Sequence, residues 1–348
     1  MRQIIIEHIF IITLIFISNC NHKYESTDQI IIAFNNSKDV FIYDTFDQSL
    51  INITENLVDT LYWAEVSAFS DNGEELLFTL DYMKLENEWM LSNRDDIYLY
   101  NVISGESRRI TNNEYREINP KFSNDGEKII YQSFENGNSD IFLINKDGSN
   151  KKLIVDNTGY EWYPTFSADG QNIFYLSIRA GKTDIYMNTI DGKNEDNITN
   201  DQMEEGAPAI SKDGNFIVYN VIESTINVGD FDKGMRKLDL NTRLVTQITA
   251  GNNGVSGFDM CKISVDLKYI ACRYFDASWL YIYLMDIDGN NQIELGKGID
   301  VEFTQDGKFV IYQSNDGLHK YNIAEGTDEL ILNQDISGFN IEVSTNQY

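Results

Sequence analysis

The fold is decided by the stretch Asn119-Pro120-Lys121-Phe122-Ser123-Asn124-Asp125-Gly126, because the same phrase returns twice along the chain. The second copy occupies residues 163–170 and the third residues 207–214, so the step is 44 residues both times. All three prolines of the protein stand at the second position of these copies. Weaker copies lie at residues 67–73, 261–266 and 301–307. A phrase that recurs at a fixed period of this length indicates a repeat architecture.

Each copy is followed by the same succession of short apolar segments. After the Asp-Gly turn comes a segment such as residues 129–131, and then a segment that opens with Asp-Ile-aromatic, as at residues 140–142. A second turn leads to a fourth segment, as at residues 152–154. Asp-Gly between short alternating segments is typical of β-hairpins. Each unit is therefore predicted to be a four-stranded antiparallel meander in an all-β protein.

The two ends of the chain are predicted to complete one unit. Residues 30–54 match strands two to four of a unit without its first strand, and residues 339–344 match a first strand alone. The span 30–344 holds 315 residues, which is 45 for each of seven units or 52.5 for each of six. A four-stranded propeller blade needs about 40–45 residues. We predict one β-propeller domain over residues 30–348, with seven four-stranded blades, six being the alternative, closed by the C-terminal strand in the N-terminal blade.

The segment before the propeller is predicted to direct export. A cation at Arg2 precedes the apolar run 9–17, which is too short to span a bilayer and has the shape of a signal peptide. The approach to Cys20 resembles a bacterial lipobox, although Asn19 replaces the usual small residue. On this interpretation residues 1–19 are a signal peptide, Cys20 carries the lipid and residues 20–29 form a tether. The alternative is an ordinary secretory signal with an incidental cysteine.

Composition argues against several classes of function. The chain has 27 Lys and Arg against 55 Asp and Glu, a net charge of -28, so a nucleic-acid partner is not expected. Three histidines and three cysteines leave little material for a metal site, and no cofactor or metal is expected. The only histidine of the predicted domain is His319, and neither Gly-x-Ser-x-Gly nor a glycine-rich phosphate loop occurs. We expect a protein that is not an enzyme, apart from a residual possibility of carboxylate-only carbohydrate chemistry.

The candidate binding residues lie in loops that should ring the mouth of the propeller channel. Loops between strands four and one share a face with those between strands two and three, and the short Asp-Gly turns occupy the other face. Three glutamates stand three residues before the repeated proline, so they should point at one axis. The candidate mouth residues are Tyr62, Trp63, Glu65, Tyr115, Glu117, Tyr160, Glu161, Trp162, Glu204 and Glu205. The alternative is that the glutamates cap loop ends and the aromatic residues pack between blades.

Two insertions are predicted on the same face, at residues 81–95 and 222–235. Long loops on a rigid scaffold are where binding usually resides, so Trp89 and Met90 of the first insertion are further candidates. Cys261 and Cys272 are predicted on neighbouring strands, where an exported protein could form a disulfide. Residue counting offsets them by one position, which would put them on opposite faces as two buried thiols. Both states remain open.

The repeated phrase resembles the PD40 repeats of TolB-type propellers. The resemblance is specific in the units that begin near Pro120 and Pro164 and extends over the mature chain. It departs from TolB in that residues 20–30 cannot hold the α/β domain that precedes that propeller. The resemblance implies a non-enzymatic protein-interaction scaffold. We therefore expect an exported, lipid-anchored monomer, facing the periplasm or the cell surface, that contacts the membrane only through its lipid. Its partner would be an envelope protein or a peptidoglycan-associated one.

A second class of function uses the same predicted mouth. Aromatic residues interleaved with carboxylates also suit a sugar, so the alternative is a carbohydrate or small-ligand binding propeller. Its extreme form is a cryptic carbohydrate-active enzyme, which would need two carboxyl groups at catalytic separation in a deep mouth. A wide and partly apolar face would favour the scaffold.

Overall fold

A computed structural model describes residues 29–36, 38–57, 62–86, 89–222, 234–249, 257–276, 279–333 and 341–345. The predicted signal peptide, Cys20 and all of the tether but Gln29 lie outside these ranges, as do residues 223–233 of the second predicted insertion. Every helix or strand element within the described residues is a β-strand. The all-β prediction is confirmed.

The strands follow one another with short connections. In chain order they are β1 (Ile30–Asn35), β2 (Val40–Asp44), β3 (Leu50–Asn52), β4 (Tyr62–Phe69), β5 (Glu75–Glu86), β6 (Trp89–Asn101), β7 (Glu106–Arg109), β8 (Glu117–Phe122), β9 (Lys128–Ser133), β10 (Asp140–Asn145), β11 (Lys152–Val155), β12 (Tyr160–Phe166), β13 (Asn172–Arg179), β14 (Lys182–Thr189), β15 (Glu195–Asn197), β16 (Glu204–Glu205), β17 (Ala209–Ile210), β18 (Phe216–Ile222), β19 (Met235–Asp239), β20 (Val245–Gln247), β21 (Gly257–Ile263), β22 (Tyr269–Asp276), β23 (Trp279–Asp286), β24 (Ile293–Lys297), β25 (Asp300–Phe303), β26 (Phe309–Ser314), β27 (Gly317–Asn322), β28 (Thr327–Leu332) and β29 (Ile341–Thr345).

These strands form seven antiparallel sheets, the blades of a propeller. Blade 1 has the order β29-β1-β2-β3, and blades 2, 3 and 4 contain β4–β7, β8–β11 and β12–β15. Blade 5 contains β16–β20, with its innermost strand split into β16 and β17, and blades 6 and 7 contain β21–β24 and β25–β28. The seven-bladed prediction is confirmed, and the six-bladed alternative is wrong.

The ring is closed without a covalent bond. Strand β29 pairs antiparallel with β1, so that Ile341 lies opposite Phe34 and Val343 opposite Ile32. All four side chains are buried in one apolar cluster. Asp300 of blade 7 accepts a hydrogen bond from the Ile341 backbone N–H at 2.8 Å, which fixes the start of the closing strand. The predicted closure by the C-terminal strand is confirmed.

The repeated phrase builds the tight turn that begins each hairpin. Ser123 Oγ donates to Asp125 Oδ1 at 2.6 Å, and the same oxygen accepts the Glu127 backbone N–H at 3.1 Å. These hydrogen bonds hold the pKa of Asp125 below its usual value. Gly126 has φ of 70°, a left-handed conformation that favours glycine. The turn releases the chain directly into the apolar second strand, β9.

The core lies between the blades. On β9, Ile129 and Tyr131 pack into the cluster shared with blade 2, whereas Ile130 between them packs into the cluster shared with blade 4. All three side chains are fully buried. Strands buried on both faces read as continuous apolar runs, which explains why the second segment of every unit has no polar alternation.

The structure joins Cys261 and Cys272 by a disulfide bond. A β-bulge in β21 places two residues, Met260 and Cys261, opposite Cys272 on β22. The inference that residue counting puts the two cysteines on opposite faces is wrong, because the extra residue of a bulge shifts the alternation of side chains by one position.

Candidate functional site

Exposed aromatic side chains gather on the predicted mouth face. The described residues with such side chains are Phe46, Trp63, Tyr115, Tyr160, Tyr163 and Trp279. All but Phe46 lie in inner strands, in the loops that lead into them, or at the hairpins between second and third strands. That position puts them on the face that carries the channel mouth, whereas Phe46 lies in a turn of the opposite face. A concentration of aromatic surface on one side of a soluble protein marks a binding face.

Blades 3 and 4 are joined at the mouth by an aromatic cluster. The rings of Tyr160 and Trp162 stack with centroids 6.3 Å apart, and Trp162 meets Phe134 edge to face at 6.5 Å. The Arg116 guanidinium lies 5.9 Å from the Phe134 ring and donates from Nε to Asp95 Oδ2 at 2.6 Å. We call Arg116, Phe134, Tyr160 and Trp162 the aromatic ladder. Its members fix one another, so binding to it needs little ordering of side chains.

The three repeated glutamates do not line the mouth as exposed charges. Glu117 and Glu161 are 0% exposed and Glu205 is 1% exposed. Each lies at the mouth end of an inner strand, where the neighbouring blade covers it. Glu117 accepts from Asn113 Nδ2 at 2.7 Å, Glu161 from Ser177 Oγ at 2.8 Å and Glu205 from Thr199 Oγ1 at 2.9 Å. The expectation of a carboxylate ring open to a ligand is wrong, because equal phase along the strands does not prevent burial between blades.

Burial also changes the charge of these groups. It raises the pKa of Glu161 to about 7 and that of Glu205 to about 8, because a buried carboxylate loses its hydration. The pKa of Glu117 is raised for the same reason, and Lys151 opposes the shift. We call the contact surface between two neighbouring blades a seam. At neutral pH the seams that bury these glutamates are thus less negative than their number of acidic residues indicates.

The remaining candidates differ in exposure. Trp63, Tyr115 and Tyr160 are exposed, whereas Glu65, Trp162 and Glu204 are half-buried. The side chains of Tyr62, Trp89 and Met90 lie outside the description, although their backbones belong to β4 and β6. The first predicted insertion, residues 81–95, is not a separate loop in its described residues. Strands β5 and β6 run to 12 and 13 residues and pair up to Glu86 opposite Trp89, so the insertion lengthens the hairpin itself.

The channel wall carries paired charges. Lys121 of blade 3 forms an ion pair with Glu342 of blade 1 at 3.2 Å, and Lys262 of blade 6 pairs with Glu302 of blade 7. Closer to the mouth, Arg273 donates from Nε and Nη2 to the two carboxylate oxygens of Asp259, at 2.8 Å each. The interior is therefore mixed in charge, in contrast to the strongly acidic chain as a whole.

The opposite end of the channel is bridged by the turns. Lys212 of blade 5 reaches Asp71 of blade 2 at 2.8 Å, and Gln305 of blade 7 donates to the Asp71 carbonyl oxygen at 3.3 Å. These blades are not neighbours in the ring, so the contacts cross the axis. Side chains of the turns therefore narrow this end of the channel.

Sequence reasoning missed several residues of the mouth. Tyr163 stands in the repeated phrase itself, and its φ of 51° beside the irregularity in β12 turns its ring into the open. Trp279 stacks under Lys297 at 3.7 Å on a hairpin of blade 6. Phe134 and Arg116 could have been found from their place at the mouth ends of β9 and β8. A cavity of about 280 Å³ between blades 5 and 6 is lined in part by Asp259 and Arg273.

The described residues show no metal cluster and no membrane-spanning helix. No group of three or more His, Cys, Asp or Glu side chains among them could hold a metal ion. No helix in the same part of the chain is long and apolar enough to cross a membrane. His319 contacts Asp328 through Nδ1 at 2.8 Å and Asp316 through Nε2 at 3.0 Å, and its ring stacks on Tyr312. Carboxylates thus engage both of its ring nitrogens.

This architecture defines a closed propeller of repeated four-stranded blades that presents one aromatic face. The chain belongs to the PD40 family, the TolB beta propeller domain, which matches residues 66–256, more than half of its length. The resemblance carried by the repeated phrase is confirmed. No curated protein is a sequence match to the chain.

Several solved structures share the fold. TolB from Acinetobacter baumannii is 18% identical with a TM-score of 0.57, and the alignment covers 77% of this chain and 63% of that one. A putative TolB from Agrobacterium tumefaciens is 20% identical with a TM-score of 0.55, over 77% of this chain and 89% of that one. Oligogalacturonate lyase from Vibrio parahaemolyticus is 12% identical with a TM-score of 0.56, over 87% and 79%. This chain therefore spans less than two thirds of the Acinetobacter TolB chain, and at these identities the likeness concerns the fold alone.

Proposed function

We propose that this protein is an exported, lipid-anchored propeller that binds a protein partner of the bacterial cell envelope through its mouth face and does not catalyse a reaction. The observation that carries the proposal is the aromatic ladder, in which Tyr160 is exposed, together with the exposed Tyr115 on the same face. Tyrosine, tryptophan and arginine supply most of the energy of protein interfaces, and here they are held in place before any partner arrives.

Two features support export. The disulfide between Cys261 and Cys272 belongs to an oxidising compartment, since cytosolic thiols are kept reduced. The N-terminal segment leads to Cys20 in a sequence that resembles a lipid-attachment signal, with Asn19 in place of the usual small residue. Acyl chains on that cysteine would hold a monomer at the membrane while the propeller stays free to bind.

The charge of the chain indicates the chemistry of the partner. A net charge of -28 attracts basic surfaces and repels acidic ones, so the partner segment should be basic. An envelope protein or a peptidoglycan-associated protein with such a segment fits this description. Attraction of this kind falls with salt, because ions screen it over about 10 Å at 0.1 M.

The test compares two sets of exposed aromatic residues. Tyr115→Ala with Tyr160→Ala removes aromatic surface from the mouth, and Phe46→Ala removes it from the opposite face. Partners are captured by crosslinking in native envelopes with the full, lipidated chain. We expect the double variant to lose at least about tenfold of its recovered partner, and Phe46→Ala to lose none. Equal recovery from both variants with unchanged melting temperatures would contradict the proposal.

The stacked pair of Tyr160 and Trp162 also favours a second candidate, a carbohydrate-binding propeller. Sugar rings stack on such aromatic faces. Glu161 and Glu205 are unsuited to act on a bound sugar as acid and base, because both are buried between blades. The test is binding of envelope glycans to the wild-type protein and to Tyr160→Ala. Binding to the wild-type protein alone, without release of cleaved products, would show that the ligand is a glycan and not a protein.

A further inference from the structure

The seam between blades 3 and 4 buries two carboxyl groups near each other. Glu161 of β12 and Asp140 of β10 are both 0% exposed. The two strands are locked together here, since the Glu161 backbone N–H donates to the Ser139 carbonyl at 2.9 Å and Ser139 Oγ donates to the Glu161 carbonyl at 2.5 Å. Within the described residues, Glu161 Oε2 and Asp140 Oδ1 have no hydrogen-bond partner. Two buried anions with unpartnered oxygens in one seam would be very costly.

The other groups around Glu161 do not neutralise it. Ser177 donates to its other oxygen, and Ser177 and the nearby Asn157 are both uncharged. The cation that acts on it is Arg179, which forms its ion pair with Glu195 at 2.6 Å. The Tyr175 hydroxyl also donates to Glu195.

The backbone packs closely against the partnered oxygen of Glu161. A Cβ atom added to Gly159 would lie 3.1 Å from Glu161 Oε1 and 2.9 Å from Asn157 Oδ1. A proton on the carboxyl group is the smallest addition that removes a charge from the seam. The raised pKa values of Glu161 and Asp140, caused mainly by burial, agree with this arrangement.

The same arrangement recurs 44 residues further on, between blades 4 and 5. Glu205 is 1% exposed, and its Oε1 has no hydrogen-bond partner in the described structure. It faces Asp184, whose Oδ1 is paired with Lys182 at 2.6 Å, and Asp201, which is paired with Arg236 at 3.1 Å.

The nearby cations of this second seam thus already have anionic partners. The Thr199 hydroxyl donates to Glu205, and the uncharged Tyr219 lies near it. The seam between blades 2 and 3 is different. There Glu117 lies near Lys151, and the neighbouring Asp96 pairs with Arg94 and Arg109.

We propose that Glu161 and Glu205 hold protons in mildly acidic surroundings, and that their ionisation as the surroundings pass through neutral to alkaline loosens the contacts between blades 3, 4 and 5. Loss of each proton adds an anion to a buried seam that already holds another carboxyl group, and separation of the blades is a way to hydrate it. Glu161 lies between Tyr160 and Trp162 in the chain, so the change acts directly on the aromatic ladder. Control of partner binding by this change rests on the proposed function, whereas the protonation itself does not.

The test follows the glutamate carboxyl carbons of the full chain by ¹³C NMR between pH 5 and pH 9. The variants are Glu161→Gln and Glu205→Gln, and Glu106→Gln is the matched control because Glu106 is exposed on β7. We expect one carboxyl signal that titrates near pH 7 to vanish in Glu161→Gln, and one that titrates near pH 8 to vanish in Glu205→Gln. Tryptophan fluorescence should change with the first midpoint in the wild-type protein and in Glu106→Gln, but not in Glu161→Gln.

Other outcomes overturn the proposal. Titration of every glutamate below pH 5.5 would mean that the seams hold carboxylates. Stabilisation of the wild-type protein by Ca²⁺, absent in Glu161→Gln, would mean that a cation occupies the seam. If Glu161→Gln fails to fold, Asp140→Asn removes the repelling charge, and the signal near pH 7 must then move to lower pH. None of these measurements uses a binding partner. Failure of the protonation proposal can therefore be distinguished from failure of the proposed function.

Discussion

Removal of the closing strand should unfold the whole propeller. The perturbation is deletion of residues 341–348, which takes away β29 and leaves blade 1 with three strands. The deletion uncovers the inner edge of β1 and removes the acceptor-bound N–H of Ile341 from the buried carboxylate of Asp300. Because every blade packs against two neighbours, the loss cannot stay local.

The magnitude follows from the buried side chains. Burial of Ile341 and Val343 contributes about 1.5–3 kcal/mol each. Ile32 and Phe34, which β29 covers, lose part of their burial as well. The two side chains together contribute about 3–6 kcal/mol, and the partial exposure of Ile32 and Phe34 adds to the loss, so the total is comparable to the full stability of many domains, about 5–15 kcal/mol.

The assay is urea denaturation followed by circular dichroism, with deletion of residues 346–348 as the control. The longer deletion should abolish the cooperative transition or move it to much lower urea. A synthetic peptide of residues 338–348 should restore the transition, since it can pair with β1 in trans. An unchanged transition after deletion of β29 would refute the view that the strand closes the ring.

Three further predictions concern cysteine and glycine residues. Cys20→Ala should release the protein from membranes or block signal processing, and membrane fractionation that finds normal maturation and retention would contradict lipid anchoring. Replacing Cys261 and Cys272 together by serine should cost about 3 kcal/mol of unfolding free energy for a loop of 11 residues, and a reductant should weaken the wild-type protein by a similar amount without affecting the variant. Gly126→Ala should cost only about 1 kcal/mol, because its φ is 70° but an added Cβ meets nothing within 4 Å. Gly289→Ala should cost clearly more in the same denaturation assay, because its Cβ would collide with the Ile248 carbonyl; equal costs would contradict this packing.

The architecture could be predicted because the repeat carries it redundantly. The phrase around Asp125 and Gly126 fixes the turn, the apolar run after it fixes a doubly buried strand, and the period of 44 fixes the blade. The closure of the ring could also be predicted, because the unit at residues 30–54 lacks a first strand and the C-terminal end of the chain supplies one.

The site could be predicted only in part, because burial depends on the neighbouring blade. The equal repeat position of Glu117, Glu161 and Glu205 predicted that they occupy equivalent places in successive blades. The sequence of one strand does not show that the neighbouring blade buries the glutamate side chain. The disulfide could not be predicted from residue counting. Counting assumes that side chains alternate regularly along a strand, and the bulge at Met260 breaks that alternation. The aromatic ladder is built at the ends of three strands, β8, β9 and β12, in two blades, so no single stretch of sequence contains it.

The position of β1 inside its blade determines how the protein resists force. β1 lies between β29 and β2, with five paired residues on each side. A pull applied from the N-terminal side of Ile30 loads β1 along its length, so both rows of hydrogen bonds must shear together. A pull on the chain beyond Thr345 loads β29 instead, which pairs with β1 alone, so a single row of hydrogen bonds resists it. The propeller is thus mechanically strong when held by its N-terminal side and weak when pulled from the other end.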